Sequence, residues 1–282
     1  MKLIDLHVHS TVSDGTLSPS ELAIYAHSKG LWAIALTDHD TVAGVEECIQ
    51  KGHELGLMVI PGIECSADYY GKEVHLLGYG IDYQDTHLNA QLKHLIESRE
   101  KRNERMLQKL AEVGCPLTME DLTSEAGENT VITRAHFAKA LLKKGYIKER
   151  SEAFTKYIGD GKPCFVPKAH FTIAQCIRMI HQAGGLAILA HPMLYGYSRY
   201  EVTGLLKSLK AAGLDGVECL YSTHTKDDTS HLLQVSKNLG LFVTGGSDFH
   251  GANKPGLDLG CGYGELAIPF KLLENMMPHF HY

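Results

Sequence analysis

Several absences narrow the reading of this 282-residue chain before any motif is considered. No run of 18 apolar residues occurs, so no segment is expected to cross a membrane as a helix. The apolar stretch within Met1–Ser10 is too short for a secretion signal. None of the seven cysteines stands in a Cys-x-x-Cys pair, and an odd count argues for free thiols in a reducing, cytoplasmic setting. Basic excess is lacking too. The formal net charge is -6, whereas a protein that coats duplex nucleic acid is usually basic overall. The charge is uneven: residues 86–165 hold 14 Lys and Arg against 11 Asp and Glu, and the remainder holds 13 against 22. An acidic body with a mildly basic middle suits a protein that binds cations and a small phosphorylated substrate or nucleic-acid end. Nothing in the chain points to an obligate protein partner.

Histidine, by contrast, is plentiful, with 17 in the chain. The informative ones belong to a set of nine residues: His7, His9, Asp14, His39, Glu64, His75, His191, Asp248 and His250. Nearly all stand at or just after the end of a short apolar run. Those runs, at Leu3–His9, Trp32–Thr37, Leu57–Ile63, Glu73–Tyr79, Leu186–Ala190, Gly216–Leu220 and Leu241–Gly245, read as strands. Helical patterns alternate with them, which predicts an α/β chain built on a parallel barrel. The sequence Ser18-Pro19-Ser20-Glu21 signals one helix start, and Gly30, Gly56, Gly184, Gly213 and Gly240 fit helix ends. The alternation breaks once. Residues 86–165 contain no convincing parallel strand and read as helical at Leu88–Val113, Thr133–Lys144 and Ser151–Tyr157. The expected organisation is therefore a barrel from 1–85 and 166–282, with 86–165 inserted as a helical cap over the active rim. The plainer alternative is a peripheral decoration.

Alternation along Leu3–His9 predicts Ile4, Leu6 and Val8 on the helix-covered face and Asp5, His7 and His9 inside the barrel. Asp14, in a Ser-Asp-Gly turn, either ligates or caps that turn. Asp38, His39 and Asp40 end a buried strand, where core packing does not explain them, although one carboxylate could cap a helix beginning near Val42. Glu64 ends its run in a place suited to bridging two metals. His75, flanked by apolar residues, reads alone as a packed histidine. His191 tips a fully apolar strand ahead of Pro192, and Asp248 and His250 follow two glycines that permit close backbone approach. Each feature has a structural alternative, but their joint occurrence at successive strand ends points to a multinuclear site for Mn, Fe or Zn. Cys65 and Cys219 should face away from their neighbours Glu64 and Glu218. Glu218 itself is expected either to support a ligand or to be a paired, buried carboxylate.

These motifs, taken in order, resemble the PHP family, named for polymerase and histidinol phosphatase: His7–Ser10, Ser13–Gly15, Thr37–Asp40, Gly62–Glu64, the strand with His75, Ala190–Pro192 and Ser247–His250. The resemblance implies a distorted seven-stranded (β/α) TIM-like barrel with three divalent metal ions. It would place His7, His9, Glu64 and Asp248 on one ion. Glu64, His75 and His191 would hold a second, and Asp14, His39 and His250 a third. His191, Glu64 and Asp248 would be catalytic. The histidinol-phosphate phosphatases have a histidine where this chain has Asp14. That aspartate, and the Ile132–His136 pattern in the insertion, are closer to the nucleoside 3′,5′-bisphosphate phosphatases and RNA 5′-end exonucleases. Arg134 would then bind substrate phosphate, with Lys168 and His224 as further substrate contacts and His191 or His224 as the proton donor. His170 stays open as a contact. The alternatives are a small-molecule phosphatase of the histidinol-phosphate type, an amidohydrolase and a non-catalytic metal-binding module. Amidohydrolases typically bridge their metals with a strand-end lysine, which this chain lacks, and a complete ligand set argues against a degenerate module.

Overall fold

The structure is a computed structural model describing residues 2–124, 132–167 and 171–281. Its nine strands form one sheet: β1 (Leu3–Val8), β2 (Ala33–Leu36), β3 (Met58–Tyr69), β4 (Lys72–Tyr79), β5 (Phe171–Thr172), β6 (Leu186–Leu189), β7 (Gly216–Tyr221), β8 (Phe242–Gly246) and β9 (Ile268–Pro269). The spatial order is β8-β7-β6-β4-β3-β2-β1-β9, with β5 paired to β3. The ends of β1 and β8 meet, through the His9 N–H to the Phe249 carbonyl at 2.9 Å and the Asp248 N–H to the His7 carbonyl at 2.8 Å. The sheet thus rolls into a nearly closed barrel.

Helices α1 (Pro19–Ser28), α2 (Val45–Leu55), α3 (Thr86–Glu112), α4 (Met119–Thr123), α5 (Arg134–Lys143), α6 (Arg150–Glu152), α7 (Ile173–Gln182), α8 (Arg199–Ala211), α9 (Lys226–Leu239) and α10 (Lys271–Met276) complete the element order. The helix start expected at Ser18-Pro19-Ser20-Glu21 is a capping box between Ser18 and Glu21 that begins α1, with Pro19 in its first turn. Gly56 and Gly240 end α2 and α9 in the left-handed conformation that glycine adopts without a Cβ penalty.

Each of the seven apolar runs contains a strand, but the sheet is mixed rather than parallel. Strand β4 is antiparallel to both β3 and β6. The cause is local. Tyr69 pairs with Lys72 across a two-residue loop, Tyr70-Gly71, with φ of 51° and 82°. Two positive φ values make the type I′ turn whose twist matches a hairpin.

The expected alternation in β1 is also corrected. An irregularity between Asp5 and Val8 places an extra residue in the strand and reverses its facing. Ile4 and Leu6 fall in the barrel-interior cluster with Ala35, Ile60, Leu77 and Ile188. Val8 joins the outer core with Leu22 and Leu36. Asp5 joins none of the potential ligand groups among the described residues, although its Oδ1 accepts from the His7 N–H at 3.3 Å. It accepts from the Ser247 and Gly260 N–H groups at 2.8 Å each, tying β1 to two C-terminal segments, and burial pushes its carboxyl up to about 6.

A third cluster, from Met106 to Val166, is the core of the inserted helices. Helix α3 joins it to the barrel: Leu88 and Leu92 pack into the outer barrel core, and Met106 and Leu110 into the insertion. Between these two anchors the helix buries Arg99, Arg102 and Asn103.

Candidate metal centre

Glu64 is the hub. Its Oε1 lies 2.9 Å from His75 Nδ1, 3.1 Å from His191 Nε2 and 3.4 Å from His7 Nε2. Its Oε2 lies 2.9 Å from His39 Nδ1 and 3.3 Å from His9 Nε2. Asp248 Oδ1 adds a second focus, 3.5 Å from His7 Nε2, 3.3 Å from His9 Nε2 and 3.3 Å from His250 Nδ1. Asp14 Oδ1 stands 3.2 Å from His250 Nε2, and Asp14 Oδ2 stands 3.8 Å from His39 Nε2. All nine residues singled out in the sequence therefore converge.

They overlap in four potential ligand groups: His9, Asp14, His39 and His250; His7, His191 and Asp248; His7, His9 and Glu64; and His39, Glu64 and His75. In each group the donor atoms lie within 4.8 Å of one another. His9 therefore accompanies the trio of Asp14, His39 and His250.

Whether this set fits metal ions is answered by its unsatisfied atoms. Close as these groups stand, His7 Nε2, both His9 nitrogens, Glu64 Oε2 and His191 Nδ1 are buried and make no well-aligned hydrogen bond among the described residues. Buried polar atoms are paired in the great majority of native structures. A cluster of orphaned imidazole and carboxylate donors at one point suits divalent cations of the Mn, Fe or Zn type. The electrostatics agree. Burial disfavours the Glu64 carboxylate, but His39, His75 and His7 outweigh it and hold Glu64 well below the usual range. Burial likewise opposes charge on His75, yet Glu64 and Glu73 raise that imidazole to about 10. His9 goes the other way, driven well below its ordinary value by burial and by its neighbours His250 and His39.

The backbone is bent to assemble this site. Among the described residues, four non-glycine positions have positive φ, and three of them are Asp40, His191 and Asp248 at 53°, 26° and 59°. Such residues cost on the order of 1–3 kcal/mol each and persist where their surroundings over-determine them. Here the His191 N–H donates to Glu218 Oε2 at 2.8 Å, and the Asp248 N–H is held by the His7 carbonyl. Gly246 admits the close approach of β8 to β1, because a Cβ there would sit 2.1 Å from the His7 Cβ.

A surrounding layer holds the nine in place. Glu218 Oε1 lies 3.0 Å from His7 Nδ1, so this carboxylate supports two of them. The Tyr221 hydroxyl donates to Asp248 Oδ2 at 2.7 Å, and Lys254 donates to the same oxygen. Glu73 Oε1 stands 3.3 Å from His75 Nε2. Neither Asp38 nor Asp40 caps α2, whose N-cap is Gly44. Asp38 accepts from Ser10 and Ser13, while Asp40 accepts from the Ser66 N–H and from Arg99. Cys65 and Cys219 lie in the outer core, facing away from Glu64 and Glu218 as expected.

A cavity of about 160 Å³ opens beside the cluster, lined by Asp14, His39, Glu73 and His75 together with Arg99, Arg102 and Arg134. Arg134 donates to Asp160 Oδ1 at 2.7 Å and lies 3.7 Å from Glu73 Oε2. No carboxylate of the described residues pairs with Arg102, whose Nε is buried and unpartnered. Burial, with Arg99 and Arg134 nearby, lowers Arg102 to about 9. Arg99 and Arg102 were missed in the sequence because arginines in a charged helix are normally solvated. His224 is not brought to this cavity. It stands behind Tyr221, 5.1 Å between ring centroids, lines a separate cavity of about 620 Å³ and donates from Nδ1 to the Cys219 carbonyl. Lys168 and His170 lie outside the described residues.

A barrel rim that rings one carboxylate with imidazoles, and faces them with arginines, defines a metal-dependent hydrolase of phosphate esters. The chain belongs to the PHP domain family, whose profile matches residues 5–162. It is 37% identical over 278 residues to a 5'-3' exoribonuclease of Haemophilus influenzae, covering 98% of this chain and 97% of that one. It is 33% identical over 260 residues to a 3',5'-nucleoside bisphosphate phosphatase of Chromobacterium violaceum, covering 92% and 91%. A solved structure from Bifidobacterium adolescentis, described as a metal-dependent phosphoesterase, superposes with a TM-score of 0.88 at 30% identity, covering 100% of this chain and 97% of that one.

Proposed function

We propose that this chain removes the 3′-phosphate of nucleoside 3′,5′-bisphosphates and shortens 5′-phosphorylated RNA, using three divalent ions, with Mn preferred and Fe or Zn as substitutes. The observation that carries this reading is the shared cavity, lined both by Asp14, His39 and His75 of the cluster and by three arginines. A substrate with two phosphates satisfies both sets of groups. The activities named for the Haemophilus and Chromobacterium relatives support the same substrate class.

His7, His9, Glu64 and Asp248 would hold one ion, Glu64, His75 and His191 a second, and Asp14, His39 and His250 the third. Bound there, the ions supply Lewis acidity and a water activated near neutral pH. The chain's own groups do the rest. Arg99, Arg102 and Arg134 receive the phosphate that does not react, and a guanidinium suits this because its planar fork donates two parallel hydrogen bonds. Asp40, already paired with Arg99, fixes that fork. Of the two imidazoles considered for protonating the leaving oxygen, His191 has Nε2 at Glu64, the position of a ligand, and His224 lines a separate cavity. The helices of 86–165 act as a cap on the barrel formed by 1–85 and 166–282, and α3 and α5 deliver the arginines to the rim.

Phosphate release by Mn-loaded protein from adenosine 3′,5′-bisphosphate, a short 5′-phosphorylated RNA and histidinol phosphate tests the proposal. Fast turnover of the first two is expected. Turnover of histidinol phosphate alone would overturn it.

A further inference from the structure

We infer that Phe154 is the platform on which the substrate's nucleobase stacks, and so a specificity-determining residue; this rests on the substrate reading above. A cavity of about 160 Å³ is well below the roughly 300 Å³ at which a pocket begins to engulf an organic ligand. It has room for a phosphate and part of a ribose, so the base must lie at the mouth. Among the described residues lining the cavity, Phe154 is the one large apolar side chain. It is 37% exposed, although Ala153 and Ile158 of the same turn are fully buried in the core of the inserted helices.

Its backbone is held firmly. Phe154 belongs to the π-helical turn Ala153–Ile158, a conformation that is rare and often found at functional sites. The Gly159 N–H donates to the Phe154 carbonyl at 3.1 Å, and a Cβ at Gly159 would lie 2.1 Å from that oxygen. Glycine thus lets the chain close tightly behind the ring while the ring stays at the mouth. An aromatic face offered there, next to cationic groups that fix a phosphate, is the combination that binds nucleotides without reading their sequence, because every base has a π-face.

The test is calorimetric titration of Mn-loaded full-length protein with adenosine 5′-phosphate and with ribose 5-phosphate, for the wild type, Phe154→Ala and Phe154→Trp. Wild type should bind the nucleotide more tightly than the sugar phosphate. Phe154→Ala should weaken the nucleotide by about 5- to 100-fold and leave ribose 5-phosphate unchanged, since stacking on one aromatic ring is worth that much per base. Phe154→Trp should retain nucleotide affinity. Nucleotide binding unchanged in Phe154→Ala would overturn the inference, as would an equal loss for both ligands. Wild-type protein that binds neither ligand would instead overturn the reading of the arginine cavity, and the inference with it.

Discussion

At the scale of single residues, the site is a contest between protons and metal ions. In the metal-free chain His7 and His39 are raised by their carboxylate neighbours, and His75 is raised to about 10, so His75 carries a proton near neutrality. A ligating imidazole must be neutral, so metal binding at pH 7.5 should release protons. Titrations in buffers of different ionisation enthalpy would measure this release, and its absence would contradict the electrostatics described above. The sign for stability follows. A raised folded-state pKa contributes stability that is complete below about 6.5, the unfolded value, and is lost as pH rises through about 10. Metal-free protein should accordingly melt at lower temperature as pH rises across that window. Glu73 makes a separate prediction, because it touches both His75 and Arg134. Carboxylates behind metal-bound histidines are typically worth about 10–100-fold in metal affinity. Glu73→Ala should weaken Mn binding by about that factor, and Glu73→Gln, which still offers an acceptor to Nε2, should restore most of it. Equal Mn affinity in Glu73→Ala and wild type would remove this role. The nine central residues were legible because imidazoles and carboxylates at the tips of apolar strands have no packing explanation. Glu73, Tyr221 and Lys254 were not, because each is an ordinary residue until the fold aims it.

At the scale of elements, helix α3 is the most informative. Its buried positions are Leu88, Leu92, Leu95, Arg99, Arg102, Asn103, Met106 and Leu110, one stripe at helical spacing. The arginines occupy places in the stripe where an apolar residue would pack, and that phase was the signal available in the sequence. Burying an unpaired cation is costly, and replacing buried charges by apolar side chains of similar volume is often neutral or stabilising by 1–4 kcal/mol. Arg102→Met should therefore stabilise the protein by about 1–2 kcal/mol while raising KM for 5′-phosphorylated substrates at least about tenfold. Thermal melts and steady-state kinetics on one preparation check both halves. A variant that is destabilised and has wild-type KM would mean that Arg102 is structural. Strand β4 teaches the opposite lesson. Alternating strand and helix signals predicted a parallel sheet, but the Tyr70-Gly71 turn folds β4 back on β3, so His75 reaches the rim from a reversed strand. The irregularity in β1 was illegible for a related reason: one extra residue changes facing without changing composition.

At the scale of the whole molecule, the arrangement is a division of labour. The barrel's β1, β3 and β4 and the segments after β1, β2, β6 and β8 gather the imidazoles and carboxylates, while the segment 86–165 brings the arginines and Phe154 to the same cavity. The charge distribution seen in the sequence now has a place in space: the basic surplus of 86–165 meets the acidic body where the substrate would lie. The central claim is that the cluster and the arginines act on one substrate. It is tested most directly by comparing kcat/KM of Mn-loaded protein for adenosine 3′,5′-bisphosphate and adenosine 3′-phosphate. Charge-assisted contacts to three guanidinium groups should favour the bisphosphate by at least about 100-fold, the equivalent of two such hydrogen bonds at roughly 1.5 kcal/mol each. Equal values would contradict the account, leaving the cluster with a phosphoesterase site and the arginines with no part in choosing its substrate.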